Sequence, residues 1–339
     1  MAALLVTLAA VWPVKKLAAC SNAIDRPGQR KIHAHPTPKL GGLAIFIGII
    51  AALGVSRIFY GNIFSREIIV ILSGGLLTVA LGFADDVYSL PWSVKLLGQI
   101  IIAVVVVSCG LEINYLKHPL SLQVIELGVF SKILSVFWIL VVMNIINLID
   151  GLDGLAGGIA LISAFALFII SLLTNQLHVV FLLIALCGAT AGFLRFNFHP
   201  ASIFLGDTGS LLLGYLLAVC SITGVLKSAT VIALGIPLLS LLIPLTDTAL
   251  AIIRRLKNRV NIFLPDRGHL HHILLNYYKD SQREVVLLLY SASAVLNLAA
   301  VLLSVTSGIY SYLWFLVIIA VLLSAALRLK KRILWPESK

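Results

Sequence analysis

The chain alternates between long runs of apolar residues and short polar segments. A helix that crosses a bilayer needs about 20 mostly apolar residues, because an unpaired backbone group in hydrocarbon costs several kcal/mol and only the helix pairs its groups within one segment. The runs have that length. Windowed hydropathy predicts spans near Ala2 to Leu17, Gly41 to Ser56, Ile68 to Ala84, Val94 to Cys109, Ile133 to Ile149, Leu155 to Leu173 and Val179 to Leu194. Four more follow, near Ser210 to Val225, Ala229 to Ile252, Val285 to Val305 and Tyr310 to Ala326. The first run passes through Trp12 and Pro13 to Lys15 and Lys16 with no basic region ahead of it, so it reads as a retained span and not a cleaved signal peptide. The outer loops are short except for Gly110 to Lys132, where the alternation Glu112-Ile113-Asn114-Tyr115-Leu116 suits a small hairpin. No soluble domain, repeat or low-complexity linker interrupts the pattern. The expected architecture is one polytopic, all-α integral membrane domain over residues 1–339 with about 11 transmembrane helices.

Composition supports this. Of the residues, 60% are hydrophobic and 12% charged, against roughly 25% charged in soluble chains, so one water-facing domain cannot hide the apolar surface. The net charge of +11 would suit nucleic acid, but topology explains it better. An odd number of spans puts the two ends on opposite sides. With the N-terminus outside and the C-terminus cytoplasmic, only Arg57, Arg66, Lys117, Lys132 and Lys227 of the 25 Lys and Arg lie outside, as the positive-inside rule requires. The counter-charge would be anionic lipid or phosphate, with no nucleic-acid partner. Acids follow the same bias, since only Glu67, Glu112 and Glu126 of 14 fall outside. Cys20, Cys109, Cys187 and Cys220 form no C-x-x-C pair and lie in or beside apolar runs, so they read as small buried apolar residues.

The polar groups converging on the inner face carry the chemistry. Asp85 and Asp86 end the third span as neighbouring carboxylates, which repel unless a cation compensates. The pair is either a site or an interfacial loop in water. Lys95, at the start of the next span, can neutralise it or hold a phosphate. In Asn144-Ile145-Ile146-Asn147-Leu148-Ile149-Asp150-Gly151-Leu152-Asp153-Gly154, the three-residue spacing of Asn147, Asp150 and Asp153 would line one helix face, if these residues are helical and not capping groups between spans. Phe204-Leu205-Gly206-Asp207-Thr208-Gly209-Ser210 is glycine-rich but lacks the lysine of a P-loop. Asp207 can ligate a hard cation or simply N-cap the next span. The inner loop Asp266-Arg267-Gly268-His269-Leu270-His271-His272 suits phosphate better than zinc, since no cysteine accompanies it. Asp247, inside a span, is a functional candidate or the partner of Arg254 or Arg255.

In order along the chain stand Asp25-x-Pro27 with Arg30-Lys31-x-His33, Pro38-x-x-Gly41-Gly42, Asp85-Asp86, Asn147-x-x-Asp150-Gly151-x-Asp153-Gly154, Gly206-Asp207-x-Gly209-Ser210 and the His269 cluster. Together they resemble the polyprenyl-phosphate N-acetylhexosamine-1-phosphate transferases of bacterial envelopes, over Asp25 to about His272. One branch of that family uses UDP-GlcNAc and another UDP-MurNAc-pentapeptide. The second usually shows three consecutive histidines, whereas His269-Leu270-His271-His272 looks like the GlcNAc branch.

The resemblance implies a multi-pass enzyme of the bacterial cytoplasmic membrane that transfers GlcNAc-1-phosphate from UDP-GlcNAc to undecaprenyl phosphate, releasing UMP. It implies Mg²⁺, with Mn²⁺ as a substitute, held by Asn147 and Asp207, and Phe204 packed on the uracil. Asp150 and Asp153 would contact the nucleotide or order the site, Lys95 would bind phosphate, and Arg267 with His269, His271 and His272 would meet the sugar phosphate. Asp85 or Asp86 would accept the acceptor's residual proton or position Lys95 and the metal, and a covalent aspartyl route stays open. Homodimerisation is compatible with the sequence. A transporter or flippase is the competing class, but its polar site would lie near the bilayer midplane in repeated halves. The topology is directly testable: cysteines placed beside Asp85, Asp150, Asp207 and His269 should resist a membrane-impermeant maleimide in intact cells and react after permeabilisation. Strong external labelling of two of them would reverse the assignment.

Overall fold

The computed structural model describes residues 1–26, 36–61, 64–117, 124–224, 275, 278 and 281–305. Among the described residues nine long helices follow in order: α1 (Ala2–Cys20), α2 (Gly41–Tyr60), α3 (Arg66–Tyr88), α4 (Trp92–Ser108), α5 (Phe130–Ile149), α6 (Leu155–Leu173), α7 (Leu177–Asn197), α8 (Gly206–Gly224) and α9 (Gln282–Val305). Eight of them are long and apolar enough to cross a membrane. The other, α4, has 17 residues, which at 1.5 Å per residue is still roughly 25 Å of helix. These nine match nine of the predicted spans to within a few residues. The spans expected at 229–252 and 310–326 lie outside the described residues.

The predicted hairpin is present. β3 (Tyr115–Lys117) pairs antiparallel with β4 (Val124–Glu126), with Leu116 opposite Ile125. A second two-stranded pair, β1 (Ile24–Asp25) with β2 (Thr37–Pro38), closes the segment between α1 and α2. The expectation for the cysteines is only partly met. Cys220 is buried and Cys187 half-buried, but Cys20 and Cys109 are exposed where α1 and α4 end. The hydropathy of a run does not say which of its faces meets a neighbouring helix.

Helix α8 is the axis of the bundle. Every residue from Thr208 to Gly224 is buried, and α2, α3, α5, α6 and α7 all pack against it. Lipid tails are as apolar as leucine, so such packing relies on small residues and on polar groups that find partners. Trp138 on α5 donates its indole N–H to Ser221 Oγ at 3.0 Å, and Ser221 passes its own hydroxyl proton to the Ala218 carbonyl at 2.6 Å. Between α4 and α5, Asn144 donates to Oε1 of Gln99 at 2.6 Å, and Gln99 is only 1% exposed.

At one end of the bundle three helices meet backbone to backbone. The first-turn N–H groups of α2, which have no intrahelical acceptor, donate to the loop before α8: Gly41 to the Phe204 carbonyl at 3.1 Å and Gly42 to that of Leu205 at 3.2 Å. Phe204 in turn donates to the Pro38 carbonyl at 2.8 Å. A Cβ on Gly42 would lie 2.3 Å from Gly209 Cα, and one on Gly82 of α3 would lie 2.4 Å from Thr208 Cα. Since backbone must move to admit a methyl group there, Gly42→Ala should cost about 1–3 kcal/mol and lower the thermal midpoint in detergent by several degrees. Gly54→Ala on the same helix meets nothing within 4 Å and should leave the midpoint unchanged or slightly raised.

Candidate active site

The same end of the bundle gathers the polar residues singled out above. Helix α3 runs through Asp85 and Asp86 before stopping at Tyr88, where Ser89 takes a left-handed conformation with φ 52°. The Leu90 N–H then folds back onto Asp85 Oδ1 at 2.9 Å. This turn aims α4 so that Lys95, in its first turn, returns to the end of α3. Its Nζ lies 3.3 Å from Asp85 Oδ2 and forms an ion pair with Asp207 Oδ2. One cation thus sits between two carboxylates from different helices, and all three side chains are mostly buried.

Asn147, in the last turn of α5, completes the group. With its amide oxygen toward Lys95 Nζ, at 3.1 Å, its nitrogen donates to Asp207 Oδ1 at 3.1 Å and to Ser210 Oγ at 2.9 Å. Asp207 lies inside α8, with its side chain turned to Lys95 and Asn147, so it does not cap that helix. The cap comes from α3. Asp86, 7% exposed, accepts the N–H of Asp207 at 3.0 Å, the N–H of Thr208 at 2.9 Å and the Thr208 hydroxyl at 2.6 Å. Lys39, ion-paired with Asp25 at 3.8 Å, also acts electrostatically on Asp86.

The run from Asn147 to Asp153 departs from the single helix face expected. Helix α5 ends at Ile149, Asp150 is its C-cap, and Gly154 with φ 80° starts α6. The glycines break the helix, so Asp153 points elsewhere. It accepts the Ala201 N–H at 3.1 Å and pairs with His199 Nδ1 at 2.9 Å, fastening the α5–α6 turn to the loop before α8. Tyr290 of α9 fixes the same turn by donating its hydroxyl to the Gly154 carbonyl at 2.5 Å. Asp150 stays close to the main group. Burial, then the negative charges of Asp86 and Asp153, push its pKa up to about 7.

Phe204 is half-buried, its backbone held between Pro38 and Gly41 at the rim of the group. Arg267, His269, His271, His272 and Asp247, together with Pro27, Arg30, Lys31 and His33, lie outside the described residues. Sequence reasoning gave no role to Thr208, Ser210, Gln99, His199 or Tyr290. Thr208 and Ser210 were within reach, since each adjoins a named motif position. His199 and Tyr290 carry no local signal, because their partners lie 46 and 136 residues away.

The donor set suits a hard cation. Asp207 and Asn147 offer carboxylate and amide oxygens side by side, and among the described residues no three His, Cys, Asp or Glu converge at metal-ligand spacing. Magnesium is often held in this way, by one or two carboxylates with substrate phosphates and water as the remaining ligands. A lysine beside such a group supplies a further charge for phosphate.

The family description "Glycosyl transferase family 4" matches residues 68–225, the stretch from α3 to just past α8. A probable undecaprenyl-phosphate N-acetylglucosaminyl 1-phosphate transferase of Bacillus subtilis is 38% identical over 317 residues, covering 93% of this chain and 87% of its own. A decaprenyl-phosphate N-acetylglucosaminephosphotransferase of Mycobacterium tuberculosis is 36% identical over 86% of this chain and 78% of its own. An undecaprenyl-phosphate alpha-N-acetylglucosaminyl 1-phosphate transferase of Salmonella typhi is 26% identical over 84% and 77%.

Asp150 makes the site pH-sensitive. Its folded-state pKa of about 7 lies above the ordinary 3.8, so between those values the folded protein holds a proton that the unfolded chain has lost, and stability falls as pH rises. The thermal midpoint should drop from pH 5 to pH 8. Asp150→Asn should flatten that slope by on the order of 1 kcal/mol per pH unit, and an unchanged slope would show that Asp150 ionises normally.

Proposed function

The chain belongs to glycosyl transferase family 4, and on that premise we propose that it transfers GlcNAc-1-phosphate from UDP-GlcNAc to undecaprenyl phosphate on the cytoplasmic side of the bacterial membrane. The observation that carries this reading is the convergence of Asp85, Lys95, Asn147 and Asp207 at one end of the bundle. Phosphoryl transfer needs positioning and charge stabilisation more than covalent help from the protein, and this group offers a cation, hard oxygen ligands and a carboxylate beside them.

In the reaction, an oxygen of the lipid phosphate forms a bond to the sugar-bearing phosphorus of the donor. The bond from that phosphorus to the bridging oxygen breaks, and UMP leaves with the electron pair. Lys95 sits where the charge of the phosphates gathers. Asn147 and Asp207 would hold Mg²⁺, which when bound neutralises the diphosphate and stabilises the departing UMP. Phe204 at the rim offers its ring to the uracil. Asp150 lines the donor side, and Asp153 keeps the turn beneath it in place. Arg267, His269, His271 and His272, which lie outside the described residues, would meet the sugar phosphate, as the resemblance implies. Asp85, whose Oδ2 faces Lys95, takes the residual proton of the lipid phosphate.

Orientation follows from charge, with the N-terminus outside and the C-terminus cytoplasmic. That puts this end of the bundle at the surface where both a soluble nucleotide sugar and a lipid phosphate arrive. The relatives' names, which specify a polyprenyl phosphate and N-acetylglucosamine, support the pairing of substrates.

The test is to incubate purified protein in detergent with undecaprenyl phosphate, Mg²⁺ and labelled UDP-GlcNAc, and to follow UMP and lipid-linked sugar. UDP-MurNAc-pentapeptide should give no product, and its efficient turnover would overturn the choice of sugar. Asp207→Asn keeps the shape of the side chain while removing the anionic oxygen a hard cation prefers. It should fold with a near-normal thermal midpoint and lose about two orders of magnitude or more in rate, with partial recovery at high Mg²⁺. A well-folded mutant with the wild-type rate and Mg²⁺ dependence would remove Asp207 from the metal site.

A further inference from the structure

Asp85 and Asp86 are neighbours in sequence, but their surroundings differ. Asp85 is partly exposed, and its Oδ2 faces Lys95 at 3.3 Å, on the side where Asp207 and Asn147 also converge. Asp86 is buried behind the backbone of residues 206–208, and both its oxygens are occupied. Oδ1 receives the Asp207 N–H, and Oδ2 receives the N–H and the hydroxyl of Thr208. A proton acceptor must be within hydrogen-bond reach of the proton it takes, and Asp86 presents no open oxygen toward Lys95.

Its contacts are those of a helix cap supplied from another helix. The first N–H groups of an α-helix lack intrahelical acceptors, and the helix end attracts negative charge. In α8 those donors are the N–H of Asp207, whose side chain meets Lys95 and Asn147, and the N–H of Thr208. Gly206 makes the arrangement sterically feasible, since its φ is +68° and a Cβ there would lie 2.5 Å from Asp86 Oδ2.

We propose that Asp86 is a positioning residue which, with Thr208 and Gly206, caps α8 from α3 and so holds the Asp207 carboxylate in place beside Lys95 and Asn147 on the donor side, leaving Asp85 as the carboxylate that meets the acceptor lipid. This rests on the transferase reading above. Asp86 acts through Asp207, and Thr208 is its partner. Disturbing the cap therefore weakens donor engagement, whereas disturbing Asp85 slows the chemical step with the donor bound normally.

The experiment compares Asp85→Asn, Asp86→Asn, Thr208→Val, Thr208→Ser and the double variant Asp86→Asn with Thr208→Val, measuring kcat, KM for UDP-GlcNAc and thermal midpoint for each. Asparagine at 86 keeps one acceptor but turns an amide N–H toward a donor, so KM should rise about tenfold while kcat at saturation stays within about threefold. Thr208→Val should move KM the same way by less, and Thr208→Ser should restore it. Asp85→Asn should lower kcat about a hundredfold with little change in KM. The double variant should lose less than the product of the two single effects, because both break one cap. Loss of kcat in Asp86→Asn with KM and midpoint unchanged, or fully multiplicative effects, would overturn the proposal. If wild-type protein turns over neither nucleotide sugar, the transferase reading fails by itself. The cap is then decided on thermal midpoints, where independent effects of Asp86→Asn and Thr208→Val would refute it.

Discussion

A buried carboxylate on one helix receives the free N–H groups at the start of another, and the rest of the site follows from that contact. Asp86 seated on Asp207 and Thr208 fixes how the end of α3 meets the start of α8. Helix α8 packs against five other helices, so the contact sets a common origin for the bundle at this end. The glycines at 42 and 82 let the backbones close to the distance that this hydrogen bonding requires. Lys95 and Asn147 then approach from α4 and α5, and each finds a partner in Asp207.

The charges would be costly without this geometry. Three carboxylates beside apolar helices repel one another, and a lysine placed there alone would be as unfavourable. Here Asp86 is satisfied by backbone dipoles, Lys95 lies between Asp85 and Asp207, and Asn147 bridges Asp207 and Ser210. A polar pair one turn further along α4, Gln99 with Asn144, holds α4 and α5 together so that Lys95 and Asn147 face the same point.

Most of the helical plan was readable in the sequence. The constraint behind it is simple: a segment in hydrocarbon must satisfy its own backbone, so apolar length translates directly into helix length. The boundaries at Gly41, Leu155 and Ile149 coincide with the changes in composition. The membership of the site was also readable, because Asp, Asn and Lys in apolar surroundings stand out. What each residue does was less so. The spacing of Asn147, Asp150 and Asp153 suggested one helix face, but glycine-driven breakage at 151–154 separates Asp153 from the others and gives it to His199 and Ala201. The different surroundings of Asp85 and Asp86 depend on a contact 122 residues away in sequence, beyond any local pattern. Thr208 stands at an unassigned position between Asp207 and Gly209, yet its hydroxyl completes the cap.

The backbone contacts at Gly42, Gly82 and Gly209 have an evolutionary consequence. With no room for a methyl group between these chains, the end of the bundle that gathers the charged side chains is closed to gradual change, since a larger residue at these glycines disturbs three helices at once. A position such as Gly54, where a Cβ meets nothing within 4 Å, faces no such barrier. Descendants of this scaffold are therefore free to vary at such positions while the end that gathers Asp85, Lys95, Asn147 and Asp207 is inherited intact.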